Sequence, residues 1–334
     1  MGRIKSIISK LKLFLLGEHK TRSDNSADVP LFFDTNKITA AAKREIDYIV
    51  SPFKFYLKEN FEKQFNKLLA EFETIEIRPK VGLEAEFYAI NIKDKNHFFN
   101  KIYDFSKENS IVLNKIKDEN CKNQFELEFS PYLDLAKLTR DFSNIKNFLL
   151  TNFQANFEAK PFYYNVGSSL QINISLNDKN GNNLFKKQED NSESLIMLNS
   201  IGGLLAKTNE FLDLYIADEN CMARYDPDFN KLHQILGNIT SPSYNCWGIN
   251  NRTCSIRIPS SKYFRSLEEY MKDTQKNRRI EYRVPSSNCN IGLALYGTLY
   301  SILYGIRNEL YPSEKTSNNV IADDFSYLKY EIIR

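Results

Sequence analysis

The sequence predicts a mixed α+β fold in which helices flank a largely antiparallel sheet. Several short segments alternate apolar and polar residues, which is typical of half-buried strands, while longer segments repeat apolar residues at helical spacing. The two kinds of segment do not alternate regularly along the chain. A parallel sheet built from β-α-β units is therefore not favoured.

The first half of the chain carries helix and strand patterns in mixed order. We predict helices at 37–50, 53–73 and 133–158, a strand at 76–90, and two more strands around a polar turn within 110–130. Ser51-Pro52 supplies an N-cap and a first-turn residue for the second helix. That helix repeats Phe and Leu at helical spacing, which indicates one buried face.

The second half continues the same mixture. We predict strands at 169–176, 253–258 and 279–285, helices at 193–216 and 290–310, and irregular structure at 217–248. The strand at 169–176 alternates strictly and is followed by an Asn-Gly turn, which suits a hairpin. In the last helix Tyr296, Tyr300 and Tyr304 recur every four residues, and we interpret this stripe as core packing.

Composition excludes several classes of function. The chain has 334 residues, with 45 Lys and Arg against 42 Asp and Glu, a net charge of +3 that gives no nucleic-acid-binding signature. No uninterrupted apolar run approaches the roughly 20 residues of a membrane-spanning helix. The five cysteines show no C-x-x-C spacing, which favours free thiols in a reducing compartment and predicts a cytoplasmic location. The three histidines lie outside the strand-like segments, which argues against a histidine-based triad.

The N-terminal leader differs from the rest of the chain. Residues 2–16 place isoleucine and leucine at helical spacing with basic residues between them, and 21–30 is a polar linker. This pattern is typical of a segment that lies on a membrane surface, and equally of a leader that packs on its own body or on a partner subunit. We therefore divide the start of the chain into a leader with its linker at 1–30 and a helical segment at 31–75.

Four predicted strands carry polar residues on one face, because residues two apart in a strand point the same way. These residues are Glu84 and Glu86; Glu126 and Glu128; Gln171, Asn173 and Ser175; and Arg279, Glu281 and Arg283. Each face alone is compatible with simple solvation. If the strands are neighbours, however, the carboxylates converge and need cations such as Mg²⁺ or Mn²⁺ between them. Arginines beside them match phosphate oxygens, so phosphoryl transfer is indicated, without a P-loop or Rossmann motif in the sequence.

Six segments then occur in a recognisable order. They are VGLEAEFY, NQFELEF, GSSLQINISL, NCMARY, WGINNRTCSIRIP and RRIEYRVPSSNCNIGLALYG. Together they resemble the catalytic domain of glutamine synthetase over roughly residues 60–310, and the last two are the most specific. The resemblance implies a curved sheet and assigns 76–334 to a catalytic domain.

The resemblance also implies a role for each matching residue. The metal-ligand positions fall on Glu84, Glu86, Glu119, Glu126 and Glu281, with Gln171 at the place of a family histidine. The ATP-binding positions fall on Arg252, Arg257, Arg279, Asn173 and Ser175. Arg224, Arg283 and Gly167 match positions that bind the glutamate substrate, and Arg224, Arg252 and Arg283 match catalytic positions. Two divalent ions, Mg²⁺ or Mn²⁺, and ATP as co-substrate are implied, and the family's reaction joins the γ-carboxylate of glutamate to an amine through an acyl phosphate.

The sequence also departs from the family pattern. Gln171 and Asn173 replace two histidines, the flap motif is missing, and Thr240 or a neighbour falls near the position of the flap glutamate. The sequence shows no counterpart of the family's N-terminal β-grasp domain. A homo-oligomer is therefore implied by the resemblance alone. Three alternatives stay open: a glutamine synthetase or close relative, a ligase of glutamate to cysteine or another amine, and a non-catalytic relative that binds nucleotide and metal.

Overall fold

A computed structural model describes residues 60–162, 164–259, 277–324 and 326–334. The leader at 2–16, the linker at 21–30 and the predicted helix at 37–50 lie outside these residues. Within the described ranges, none of the helices is both long enough and apolar enough to cross a membrane.

Helices and strands follow each other in mixed order. The helices are α1 (Phe61–Glu73), α2 (Lys95–Glu108), α3 (Leu135–Phe153), α4 (Leu195–Lys207), α5 (Leu212–Tyr215), α6 (Pro227–Ile235), α7 (Ile291–Arg307) and α8 (Ser326–Lys329), with a 3₁₀ helix at Glu219–Tyr225. The strands are β1 (Arg78–Tyr88), β2 (Leu113–Asp118), β3 (Gln124–Phe129), β4 (Leu170–Asn177), β5 (Tyr244–Ile249), β6 (Cys254–Ile258), β7 (Ile280–Tyr282) and β8 (Glu331–Ile332).

The described strands form one sheet in the order β2-β3-β1-β4-β7-β6-β5-β8. All neighbours pair antiparallel except β5 and β6, which are parallel. This confirms the predicted α+β class with a largely antiparallel sheet. The apolar residues of the strands, such as Leu83, Ala85 and Phe87, are fully buried beneath the helices, which leaves the polar residues on the opposite face.

Side chains at several helix starts fix where the helices begin. Asp94, Asp134, Ser194 and Asn290 each accept a hydrogen bond from a backbone N–H in the first turn of α2, α3, α4 and α7. Each such cap contributes about 1 kcal/mol. In α7, Tyr296 is buried in the main core and stacks on Tyr300, which is partly buried against that core. Tyr304 stacks on Tyr300 but lies outside the core cluster, so core packing is confirmed for the first two tyrosines of the stripe.

Three local predictions were wrong. The segment 193–216 is two helices, α4 and α5, and in the turn between them the side chain of Asn209 bonds to the chain at Ile332 and Arg334. The segment 217–248 is ordered: Asp226 caps α6 with Pro227 in its first turn, the same signal as Ser51-Pro52, and β5 follows.

The third error concerns the Asn-Gly turn after β4. The turn forms with Gly181 at positive φ, and the returning chain pairs with the end of β4 through one antiparallel bridge, Asn177 to Asn183, flanked by two backbone hydrogen bonds. The pairing stops there, and the sheet neighbours of β4 are β1 and β7, so the returning segment is not a second strand of a hairpin. The cysteine prediction holds within the described residues: all five thiols are free, and four of them are buried.

Candidate active site

The four strands with polar faces are neighbours in the sheet, in the order β3-β1-β4-β7. Their register aligns the polar residues across the strands: Glu126 lies opposite Glu86, Glu84 lies opposite Gln171, and Asn173 lies opposite Glu281. The sheet therefore brings together the carboxylates, amides and arginines that the sequence distributes over two hundred residues.

A cavity opens on this polar face. It is lined by carboxylates, basic side chains and one loop, namely Glu84, Glu86, Lys117, Glu119, Asn120, Glu126, Gly167, Ser169, Gln171, Ile239, Thr240, Ser241, Pro242, Arg252, Arg257 and Arg283. The loop Ile239–Pro242 forms one wall and follows α6. It is tied to the opposite side by a hydrogen bond that Asn120 donates to the carbonyl of Ile239 over 3.4 Å.

Three carboxylates converge inside the cavity. Glu86, Glu119 and Glu126 each offer an oxygen within 4.8 Å of the other two. Burial, together with the charges of Glu84 and Glu86, raises the pKa of Glu126 to about 9. Burial and the charge of Glu86 raise the pKa of Glu119 to about 7. Crowded, buried carboxylates of this kind are relieved by a divalent cation, which suits oxygen ligands.

Glu86 and Glu126 differ in how their carboxylates are held. Glu86 accepts hydrogen bonds from the backbone N–H of Ser169 over 2.8 Å and from the amide of Gln171 over 3.2 Å. One oxygen of Glu126, Oε1, is buried and accepts no hydrogen bond from the described residues. This oxygen lies 2.7 Å from the ammonium of Lys117, so Glu126 already faces a cation. The convergence of three carboxylates fits a divalent ion.

Glu281 is held by arginines instead. Its carboxylate lies 2.6 Å from Arg257 and 2.7 Å from Arg283, and it is 1% exposed. Burial raises the pKa of Glu281, but the two arginines lower it more, so the net shift is downward. Glu84 has a raised pKa, through burial first and then through the charge of Glu281. The second ion predicted for Glu84 and Glu281 stays a prediction.

Two amides bridge carboxylates to arginines. Gln171 donates to Glu86 and accepts from Arg283 over 3.0 Å. Asn173 donates to Glu84 over 2.9 Å and accepts from Arg279 over 2.8 Å. Since a carboxylate only accepts and a guanidinium only donates, both amide oxygens face the arginines. The metal-ligand role of Gln171 stays a prediction, and its oxygen is bonded to Arg283 in this structure.

Three arginines also line the cavity. Arg252 is exposed in the turn between β5 and β6, and Arg257 and Arg283 lie deeper on β6 and just after β7. The Nε atoms of Arg257 and Arg283 are buried without a hydrogen-bond partner among the described residues. Unpaired guanidinium donors facing a cavity suit an anion such as phosphate.

Other predicted residues lie away from the cavity or only touch it. Arg224 is 1% exposed, and its guanidinium donates to the backbone carbonyls of Ser168, Val284 and Pro285. Gly167 lines the cavity and packs against Arg224, where an added Cβ would lie 2.4 Å from Arg224 Cγ. Ser175 lies further along β4, beside Lys80 and outside the cavity lining. The roles predicted for these three residues stay predictions.

Lys117 is a cavity residue that the sequence analysis missed. It lies on β2 opposite Glu126, and its ammonium is 2.7 Å from Glu126 and 3.0 Å from Glu128. Burial lowers the pKa of Lys117, but these carboxylates raise it more, so the ammonium stays charged. The sequence could have indicated this residue, because Lys117 precedes Glu119 by two residues and its side chain is therefore expected on the same face of the chain.

Comparisons with known proteins agree with this geometry. The profile of the glutamine synthetase catalytic domain matches residues 35–331. The glutamine synthetase of Thermotoga maritima is 23% identical over 284 residues, which cover 77% of this chain and 60% of that relative. The γ-glutamylputrescine synthetase PuuA of Escherichia coli K12 is 25% identical over 249 residues, which cover 72% of this chain and 48% of that relative.

A solved structure titled as a GmaS/ADP complex has a similar fold. The TM-score is 0.63 at 19% identity, and the match covers 81% of this chain and 64% of that one. This chain spans about half to 60% of the length of the two curated relatives. The family match extends over most of the chain and includes every residue of the cavity. The chain therefore belongs to the glutamine synthetase catalytic-domain family.

Proposed function

We propose that this protein is an ATP-dependent ligase that joins the γ-carboxylate of glutamate to an amine. One observation carries the proposal: the carboxylates of Glu86, Glu119 and Glu126 and the guanidinium groups of Arg257 and Arg283 line the same cavity. Carboxylate oxygens suit a divalent ion and guanidinium groups suit phosphate. A site that holds both suits the transfer of a phosphoryl group.

Glu86, Glu119 and Glu126 would hold one Mg²⁺ or Mn²⁺ ion, and Glu84 with Glu281 would contact a second. The convergence of the three carboxylates and the raised pKa values of Glu119 and Glu126 support the first of these assignments. When bound, such ions neutralise the charge that develops on the phosphate oxygens.

Different arginines would contact different parts of ATP. Arg252, at the exposed rim, and Arg257 would contact its phosphates, while Arg279 and Asn173 would lie on the nucleotide side. Arg283 faces the carboxylate cluster and would contact the phosphoryl group in transfer. Its Nη1 bonds to Glu281 and Gln171 fix the guanidinium, so its orientation is set before substrate arrives.

The reaction has two steps. An oxygen of the glutamate γ-carboxylate forms a bond to the γ-phosphorus of ATP while the bond to ADP breaks, which leaves an acyl phosphate. The amine nitrogen then bonds to the acyl carbon, loses a proton, and expels phosphate. The arginines stabilise the charge spread over the phosphoryl oxygens in the first step.

Ammonia is the first acceptor to test, and a larger amine is the second candidate. The wall Ile239–Pro242 presents an isoleucine, a proline and two hydroxyl residues to the cavity, and it contains no carboxylate to deprotonate ammonium. Amines with carbon substituents, including putrescine-like diamines and cysteine, would gain apolar contact there. The similarity to a γ-glutamylputrescine synthetase supports the same candidate.

The test is phosphate release from ATP with Mg²⁺ and glutamate, with ammonia, cysteine, putrescine and small alkylamines in parallel. We expect release that needs both glutamate and one of the amines. Glu126→Gln should abolish it, and Asp118→Asn should not, because Asp118 is exposed at the end of β2, outside the cavity lining, and pairs with Lys95. ATP binding without release for any amine would instead support the non-catalytic relative.

A further inference from the structure

Lys117 places a positive charge inside the carboxylate cluster. Its side chain rises from β2 at the position paired with Glu126, is 34% exposed, and reaches Glu126 over 2.7 Å and Glu128 over 3.0 Å. Within the described residues, both Glu126 and Glu128 form their ion pair with Lys117. The ammonium thus lies between the buried cluster and the solvent.

Glu126 depends on this contact more than the neighbouring carboxylates depend on theirs. Glu86 is held by two hydrogen bonds from Ser169 and Gln171, and Glu281 is held by two arginines. The side chain of Glu126 is 3% exposed, and its Oε1 meets Lys117 without accepting a hydrogen bond from any described residue. A buried, ionised carboxylate with no cation beside it is strongly unfavourable.

The same oxygens form the candidate metal site. Glu126 is one of the three carboxylates whose oxygens lie within 4.8 Å of one another, so an ammonium and a divalent ion would approach the same carboxylate. Two cations that share one ligand repel each other. The ammonium of lysine sits on a flexible stem and can leave for solvent, whereas the backbone holds the three carboxylates in place.

We propose that Lys117 is a tethered cation that pairs with Glu126 in the metal-free protein and leaves it when a divalent ion binds. This inference rests on the proposed metal site at Glu86, Glu119 and Glu126. Lys117 therefore acts as a positioning residue that keeps the site assembled without metal and weakens metal binding. The site exchanges one cation for another instead of filling an empty anionic cluster.

The experiment measures Mn²⁺ binding to the full chain by equilibrium dialysis with electron paramagnetic resonance, at fixed pH and ionic strength. Lys117→Met should bind Mn²⁺ at least about tenfold more tightly than the wild type, a gain of about 1.4 kcal/mol. Lys115→Met is the matched control, since Lys115 is exposed on the same strand and makes no ion pair within the described residues. Lys117→Arg keeps the charge and should bind like the wild type.

Melting temperatures give a second measurement. In EDTA, Lys117→Met should melt below the wild type, and saturating Mn²⁺ should raise its melting temperature by more than it raises that of the wild type. A lysine with only a structural role would lower the melting temperature equally with and without Mn²⁺, and that result would overturn the inference.

The failure of the inference differs from the failure of the proposed function. If Lys117→Met binds Mn²⁺ no more tightly than the wild type while Glu126→Gln weakens binding, the metal site stands and the role of Lys117 is wrong. If neither the wild type nor Lys117→Met binds Mn²⁺, both the metal site and this inference fall.

Discussion

Arg257 and Glu281 lie directly opposite each other on β6 and β7, and the guanidinium is 2.6 Å from the carboxylate. Arg283, two residues after Glu281, reaches its other oxygen over 2.7 Å. The two arginines proposed to contact phosphate and the carboxylate proposed to contact a metal are therefore one unit. Substitution of the carboxylate leaves two buried cations without their partner.

We expect Glu281→Ala to abolish phosphate release and to destabilise the fold. Removing the anion of a buried pair costs about 3–5 kcal/mol, because the remaining charge stays buried and uncompensated. Urea unfolding measures this loss. Glu76→Ala is the control: Glu76 pairs with Lys179 on the surface, where both side chains are more than half exposed, and such a pair contributes at most about 1 kcal/mol. Wild-type stability and turnover in Glu281→Ala would contradict the arrangement.

Gly167→Ala should disturb the cavity through Arg224. A Cβ at this position would lie 2.4 Å from Arg224 Cγ and 2.7 Å from the carbonyl of Ala159, and Arg224 is fixed by backbone carbonyls. Forcing an extra methyl into such a contact costs about 1–3 kcal/mol. Thermal unfolding should show a larger loss of stability for Gly167→Ala than for Gly181→Ala. At Gly181 the added Cβ meets open space and only the positive φ is strained. Equal losses of stability in the two variants would mean that the side chain of Arg224 moves to make room for the added methyl group.

The sequence predicted which residues share a strand face, but not which residues those side chains contact. Alternation placed Glu84 and Glu86 on one face with Leu83 and Ala85 opposite, and the structure buries the apolar pair as expected. It could not show that Gln171 uses its oxygen for Arg283, since hydrogen-bond partners follow from sheet order and register. Nor did it single out Lys117, whose importance depends on the pairing of β2 with β3.

In the metal-free protein, we expect the contribution of the carboxylate cluster to stability to fall as the pH rises. Burial raises the pKa of Glu126 to about 9 and that of Glu119 to about 7, so the folded state binds more protons than the unfolded state between the ordinary carboxyl range and these values. Stability therefore falls as pH rises through that window. Glu281, whose pKa is lowered, acts below the window, because its contribution is lost only as pH falls beneath the ordinary carboxyl range.

Melting temperatures from pH 5 to pH 9 in EDTA check this dependence. Lys160, whose pKa burial lowers to about 7, acts in the opposite direction above pH 7, so the test is the difference between the wild type and Glu126→Gln, which cannot ionise at this position. We expect the melting temperature of the wild type to fall relative to that of Glu126→Gln as the pH rises toward 9. Saturating Mn²⁺ should reduce or reverse this relative fall, since the metal needs deprotonated ligands and binds more tightly as pH rises. A difference between the two proteins that does not change with pH in EDTA would contradict the raised pKa of Glu126.

Asn230 connects α6 to the loop that walls the cavity. Its amide is buried and donates to the carbonyls of Arg224 and Ser241 and to the hydroxyl of Ser243 over 2.9–3.1 Å. We expect Asn230→Ala to leave these acceptors unpaired, which costs about 1–3 kcal/mol. Because the loop Ile239–Pro242 then loses one of its hydrogen bonds to the rest of the protein, its amides should exchange hydrogen faster, and the KM for the amine should rise more than kcat falls.

The neighbouring Lys231 provides the comparison for this change. Lys231 is on the same helix and pairs with Asp324, whose side chain is 77% exposed, so Lys231→Ala should leave both exchange and KM near wild type. Faster exchange in both variants would assign the effect to α6 as a whole. Faster exchange confined to residues 239–243 in Asn230→Ala, together with a raised KM for the amine alone, would connect this buried amide to acceptor binding.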